Sequence, residues 1–183
     1  MFKMNLKNIV FLTTIFISSN VFALEFQGKF IQGHFILGKT HPDSKIWIDK
    51  KKVKITGDGY FVFGIGRDRK YDITITKEFK GNKEKIVKKI LKRDYKIQRI
   101  DGLPKKQVTP PPEVYERIKK DNLLIGKARS IDTPYDFFKD KFIYPIDKYI
   151  VTGVYGSQRI LNGKPRRPHY GIDFHAPEGT PVK

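Results

Sequence analysis

The sequence predicts a mainly β protein, with a small antiparallel β-sandwich-like domain, a connecting helix, and further strands near the end of the chain. In residues 24–100, short runs of alternating apolar and polar residues are separated by turn residues about every 8–12 positions, which is typical of antiparallel strands. A proline-rich stretch then interrupts this pattern at 101–130. A hydrophobic content of 39% supports a packed core rather than a disordered chain.

Residues 1–23 have the pattern of a secretory signal peptide. Lys3 and Lys7 form a basic start, Ile9–Ile17 is a short apolar run, and Ala23 ends a segment suited to cleavage. The alternative is an uncleaved membrane anchor, but the apolar run is short for a span of about 20 residues. We therefore expect cleavage after Ala23, no stable membrane span in the mature protein, and a periplasmic or secreted location.

Glycine-containing turns separate the strands of the domain predicted at 24–100. Gly57-Asp58-Gly59 predicts a hairpin that leads into the strand Tyr60–Phe63. Lys80-Gly81-Asn82 predicts a second turn, after the alternating run Tyr71–Phe79. The other predicted strands are Lys45–Asp49, Lys52–Thr56, Ile86–Leu91 and Tyr95–Ile100.

Three aromatic residues of this domain could form a surface on which a glycan stacks. Trp47, Phe61 and Phe63 all lie in alternating strands, where large aromatic side chains commonly fill the core. We therefore favour core packing for all three residues.

Residues 101–130 predict a proline-rich linker followed by a helix. Thr109 is placed to cap the helix, and the prolines at 110–112 are tolerated in a first turn, where N–H groups have no helical partner. Val114, Ile118 and Ile125 fall on one stripe of this helix. We therefore expect the helix to pack against a neighbouring domain.

The formal net charge of +18 comes mostly from lysines spread along the chain. Such a charge favours contact with a polyanion, for example a cell-envelope polymer or a nucleic acid. The alternative is a solvated, lysine-rich surface. Because no nucleic-acid-binding motif is visible, we expect no nucleic-acid partner. The absence of cysteine excludes a disulfide framework and thiolate chemistry.

The most informative stretch is Arg159–Val182, which contains His169 and Asp173 in the spacing H-x-x-x-D. Imidazole and carboxylate are both zinc ligands. Pro168 and Gly171 argue against a helix, and on a straight strand the pair would lie about 13 Å apart, at about 3.3 Å per residue. Because zinc–ligand bonds are about 2 Å long, a shared metal requires a bend, which Gly171 permits. The alternative is a hydrogen-bonded pair that stabilises a turn.

The residues around this pair resemble the lysostaphin-type zinc metalloendopeptidases of bacterial cell walls. The similarity extends from Tyr155-Gly156-Ser157-Gln158-Arg159, through Gly163 and His169-x-Gly171-Ile172-Asp173-Phe174, to Ala176-Pro177-x-Gly179-Thr180-Pro181-Val182. The resemblance implies that residues 131–183 are the first strands of an incomplete antiparallel β peptidase domain. It also implies that His169 and Asp173 are two of the three protein ligands of zinc.

In this family, a downstream H-x-H supplies the third zinc ligand and a histidine that helps to activate water. No H-x-H occurs up to Lys183, so we expect no catalytic residue within this chain and no activity from it alone. His175 lies two residues after Asp173, but the family has no ligand at that position. We therefore expect no metal role for His175.

The resemblance implies an exported zinc metalloendopeptidase that acts on the peptide cross-links of peptidoglycan. Two other function classes remain open. One is a non-enzymatic cell-wall binding or regulatory protein of the envelope, although the retention of both His169 and Asp173 counts against it. The other is a structural envelope protein in which the β domain carries the function.

Overall fold

A computed structural model describes residues 23–140 and 142–183 of the chain. The predicted signal peptide lies outside these residues, apart from Ala23. Most regular structure in the described ranges is β, and the prediction of a mainly β fold with a connecting helix is confirmed. None of the helices in these ranges combines the length and apolar character needed to cross a membrane.

Short strands precede and follow the helical part of the chain. The strands are β1 (Glu25–Gln27), β2 (Phe35–Lys39), β3 (Lys45–Ile48), β4 (Lys51–Val53), β5 (Tyr60–Gly64), β6 (Ile73–Phe79), β7 (Asn82–Lys88), β8 (Ile97–Ile100), β9 (Ile150–Gly153), β10 (Gln158–Leu161), β11 (Lys164–Pro165) and β12 (Asp173–His175). The α-helices are α1 (Lys105–Val108) and α2 (Tyr115–Arg129), and short 3-10 helices cover Pro112–Val114 and Phe137–Lys139.

Strands β1 to β7 form two antiparallel sheets, with the orders β1-β2-β5 and β4-β3-β6-β7. Side chains from both sheets meet in one apolar core, which is the arrangement expected of a sandwich. Strand alternation explains which residues enter the core, because Phe61 and Phe63 on β5 are buried while Tyr60 and Val62 are less so. The buried core residues are Ile36, Ile46, Phe61, Phe63, Ile65, Ile73 and Ile75.

The predicted turn between β6 and β7 is confirmed. Lys80 and Gly81 have φ values of 49° and 79°, and Phe79 lies opposite Asn82 in the strand register. Two consecutive positive φ values are the feature of the type I′ hairpin, whose twist matches that of the flanking strands.

The other predicted hairpin, at Gly57-Asp58-Gly59, is wrong. The turn itself forms, but β4 pairs with β3 and β5 pairs with β2, so the turn links the two sheets of the sandwich. Gly59 explains the difference, because its carbonyl accepts a hydrogen bond from the N–H of Thr40 at 2.9 Å. The pairing of β5 with β2 therefore continues into the turn itself.

The prediction of core packing is correct for Phe61 and Phe63 and wrong for Trp47. Ile46 on β3 is fully buried and takes the inward position. Its neighbour Trp47 is half-buried on the other face of the sheet, opposite Lys52 and Thr76 in the strand register. Adjacent residues of a strand point to opposite faces, so both cannot enter the core.

The connecting helix forms, but Thr109 does not cap it. The chain stays extended through Pro111 and becomes helical only at Pro112–Val114, with no side-chain cap there or at the start of α2. The reason is that a residue followed by proline is driven towards extended backbone, and Thr109, Pro110 and Pro111 each precede a proline.

The expected packing of this helix is also wrong for the described residues. No residue of α2 is buried, and Leu123 and Leu124 are 68% and 60% exposed. These leucines are adjacent, so they point about 100° apart on a helix of 3.6 residues per turn. The apolar residues are therefore spread around α2 instead of forming one packing face.

Strand β8, predicted as the last strand of the first domain, pairs outside the sandwich. It runs parallel to β10, from Ile97 opposite Gln158 to Ile100 opposite Leu161, and β11 adds to the other side of β10. The segments before and after the linker therefore share one small sheet. This sheet brings the residues that lead to His169 close to the sandwich.

Candidate metal centre

The H-x-x-x-D segment ends on a two-stranded sheet formed by β9 and β12. Asp173, the first residue of β12, lies opposite Gly153, and the register shifts before the next residue, Phe174, which lies opposite Val151. His169 lies before β12 in irregular structure, and the chain bends at Gly171. The bend that a shared metal would require is therefore present.

This bend brings the two predicted ligand atoms together. His169 Nε2 lies 3.3 Å from Asp173 Oδ1. In tetrahedral zinc sites with bonds of about 2.0–2.2 Å, two ligand atoms lie about 3.3–3.5 Å apart. The separation in this structure therefore equals that of two ligands sharing one zinc ion.

The surroundings of His169 Nε2 also fit a ligand atom. This nitrogen is buried and has no hydrogen-bond partner among the described residues. Its distance to Asp173 would allow an ion pair with a protonated imidazole, but the two atoms are not aligned for a hydrogen bond. A buried polar nitrogen without a partner is costly. This observation favours a missing ligand over the alternative of a hydrogen-bonded pair that stabilises a turn.

Two backbone hydrogen bonds hold His169 against the preceding part of the motif. The N–H of Gly156 donates to the carbonyl of His169 at 2.7 Å, and the N–H of His169 donates to the carbonyl of Ser157 at 2.8 Å. The backbone of Tyr155–Arg159, a segment of the motif described above, therefore holds the backbone of His169 and so helps to position its imidazole.

Gly153 lies against the carboxylate of Asp173, a contact that the sequence did not predict. A Cβ atom at this position would lie 2.3 Å from Asp173 Oδ2 and 2.9 Å from Asp173 Cγ, so a side chain there would displace the carboxylate from its position against β9. A glycine inside a strand is a known sign of such close approach. The glycine is visible within the strand-like run Ile150–Val154, but the neighbouring sequence does not show which group approaches it.

Gly171 is less constrained than the sequence suggested. Its φ is not positive, and a Cβ atom there would lie 3.7 Å from His169 Cε1, which is an ordinary contact. The bend therefore does not depend on a conformation reserved for glycine.

Aromatic packing supports the strand that carries Asp173. The ring of Phe174 lies edge-on to Tyr149, with centroids 4.6 Å apart, and to Tyr144, at 6.0 Å. Edge-to-face packing of this kind adds to the stabilisation from burial. It fixes β12 against the segment that leads into β9.

Within residues 23–140 and 142–183, no group of three or more His, Cys, Asp or Glu residues is placed to hold a metal ion. His175 is exposed on β12, opposite Ile150, and does not join the pair. The described residues thus bring together His169 and Asp173 alone. A catalytic zinc site usually has three protein ligands and one open position.

No protein-family model matches the chain, and no curated protein matches it. The link to lysostaphin-type peptidases therefore depends on the motif residues and on their geometry.

Proposed function

We propose that this chain carries the first two ligands of the zinc site of a lysostaphin-type metalloendopeptidase that cleaves the peptide cross-links of peptidoglycan. The observation that carries the proposal is the 3.3 Å separation of His169 Nε2 and Asp173 Oδ1. The buried nitrogen without a hydrogen bond supports it further. The predicted signal peptide fits an exported, periplasmic or secreted enzyme.

The residues of this chain would hold the ion and set its position. His169 would bind through Nε2, with its backbone fixed by Gly156 and Ser157. Asp173 would bind through its carboxylate, in the space left by Gly153. When bound, zinc polarises a peptide carbonyl and activates water. The third ligand and a general base are still required, and the resemblance assigns them to an H-x-H.

The first test is a zinc titration of this chain, monitored through the side-chain NMR signals of His169. We expect weak binding, because two protein ligands leave two positions to water and Asp173 lies on a two-stranded sheet, which is marginally stable in water. Asp173→Ala should remove the response at His169. His175→Ala is the matched control and should leave the response unchanged. Tight binding by this chain, or loss of binding in His175→Ala, would show that the ligand assignment is wrong.

The second test joins the chain to a segment that carries the H-x-H of a lysostaphin-type peptidase domain. We expect much tighter zinc binding and the release of peptide fragments from purified peptidoglycan, and Asp173→Ala should abolish both. Tight zinc binding and peptidoglycan binding without any release of fragments would instead support the alternative, a non-enzymatic cell-wall binding or regulatory protein.

A further inference from the structure

One buried arginine connects the sandwich to the segment that holds His169. Arg67 follows β5 and is 8% exposed, and its Nε donates a hydrogen bond to the carbonyl of Gly156 at 2.8 Å. Gly156 in turn donates its N–H to the carbonyl of His169 at 2.7 Å. A continuous series of hydrogen bonds therefore leads from the core domain to the candidate metal ligand.

The ring of Tyr95 supports this connection. The guanidinium of Arg67 lies 4.4 Å from the centroid of the ring, a cation–π distance. The backbone of Gly156, with φ 86°, lies against the same ring, because a Cβ atom there would come within 2.1 Å of it. The Tyr95 hydroxyl is buried without a hydrogen-bond partner among the described residues, and burial raises its pKa. Tyr95 therefore acts through its ring.

We propose that Arg67 is a positioning residue for His169, through which the sandwich holds the zinc-ligand segment in its binding conformation. This inference rests on the proposed function. Arg67 also contacts the carboxylate of Asp68 at 2.5 Å and the amide oxygen of Gln158 at 3.4 Å, so its charge is partnered and its direction fixed.

Without the donor of Arg67, the buried carbonyl of Gly156 would lose its partner. Because Gly156 has no Cβ, its backbone can leave its φ of 86° for other conformations at little cost, so this turn can rearrange easily. Such a rearrangement would move both backbone partners of His169. Loss of a group that orients a metal ligand typically weakens metal binding about 10–100-fold.

The test uses three variants of the full chain. Arg67→Met keeps the aliphatic stem and removes every donor, whereas Arg67→Lys keeps a charge and a donor. Arg69→Met is the matched control from the same loop, because Arg69 hydrogen-bonds Asp49 at 2.8 and 3.1 Å within the sandwich. The two measurements are amide hydrogen exchange without metal and the zinc dissociation constant from the NMR signals of His169.

In Arg67→Met, we expect exchange of the Gly156 and His169 amides to accelerate by about tenfold or more. The zinc dissociation constant should rise about 10–100-fold. Amides of the core strands should keep their wild-type exchange rates. Arg67→Lys should show smaller changes than Arg67→Met in both the exchange rates and the dissociation constant. Arg69→Met should change neither quantity.

Unchanged exchange at Gly156 and His169 in Arg67→Met would overturn the inference. Faster exchange throughout the sandwich, or an equal effect in Arg69→Met, would also overturn it, because Arg67 would then act on folding in general. If the wild-type chain binds no zinc, the proposed function fails. The exchange measurement, which needs no metal, still decides the role of Arg67.

Discussion

Two glycines near the candidate ligands differ in what they tolerate. A Cβ atom at Gly153 would lie 2.3 Å from Asp173 Oδ2, whereas one at Gly171 would lie 3.7 Å from the nearest atom of His169. We therefore expect Gly153→Ala to displace the carboxylate and to weaken zinc binding at least about tenfold, as for other losses of ligand orientation. Gly171→Ala should stay close to wild type.

Both glycine variants are compared by the zinc titration at His169, with denaturant unfolding as the check on the fold. The sandwich should unfold at the same denaturant concentration in both variants, since neither position lies in its core. A larger loss of zinc affinity in Gly171→Ala than in Gly153→Ala would contradict the contact geometry.

At the residue scale, the sequence predicted His169 and Asp173 as a ligand pair with a bend between them, and the structure brings the two side chains together across such a bend. The sequence could not select Arg67 or Gly153. The hydrogen bond from Arg67 to Gly156 joins residues 89 positions apart, and Gly153 matters only because β12 pairs with β9. Local spacing carries no information about such contacts, because they arise only when distant segments meet.

At the scale of elements, α2 is a helix with little tertiary support, since none of its residues is buried. Gly126 lies inside it, and a Cβ atom there would meet open space. Alanine in a helix interior is favoured over glycine by about 1 kcal/mol. We therefore expect Gly126→Ala to raise the helicity of Tyr115–Arg129, measured by circular dichroism and Cα chemical shifts, without changing the unfolding of the sandwich.

Gly81→Ala is the matched comparison for this prediction. A Cβ atom at Gly81 would also meet open space, but its φ is 79°, a conformation that alanine adopts only with strain. This substitution should lower the unfolding midpoint of the sandwich. If both variants shifted the unfolding midpoint of the sandwich in the same direction, the backbone conformation of the glycine would not be the deciding factor.

The two predicted turns show what sequence determines at this scale. Lys80-Gly81 and Gly57-Asp58-Gly59 both reverse the chain, as their residue types predict. Only the first joins paired neighbours, because the strand after the second pairs with β2. Turn residues fix where the chain turns, whereas the partner of each strand depends on which apolar face it buries.

At the scale of the whole molecule, burial is unevenly distributed. The core cluster lies entirely in the sandwich. By contrast, many large apolar residues after position 140 are exposed, among them Phe142, Ile143, Tyr144, Ile150, Tyr170 and Ile172. The sheet of β9 and β12 has two strands, and an isolated pair of strands is marginally stable in water. Local opening should therefore be easier in this part of the chain than in the sandwich.

The difference in burial between the sandwich and the later part of the chain predicts the course of limited proteolysis. Trypsin sites are abundant, since the chain has 37 Lys and Arg residues, so protection reports structure rather than the supply of sites. We expect the first cuts in the exposed segment 105–140, followed by loss of most of 131–183, with a stable fragment of about residues 24–100. The measurement is mass spectrometry of a timed digestion.

One part of the C-terminal segment should resist longer than the rest. β10 pairs with β8, and Arg67 holds Gly156, so residues 154–162 are attached to the sandwich even after the linker is cut. Peptides from this segment should therefore remain bound to the 24–100 fragment after those from 131–150 are gone. Equal rates for the two segments would contradict this attachment, and equal protection of 24–100 and 131–183 would contradict the uneven burial from which the prediction starts.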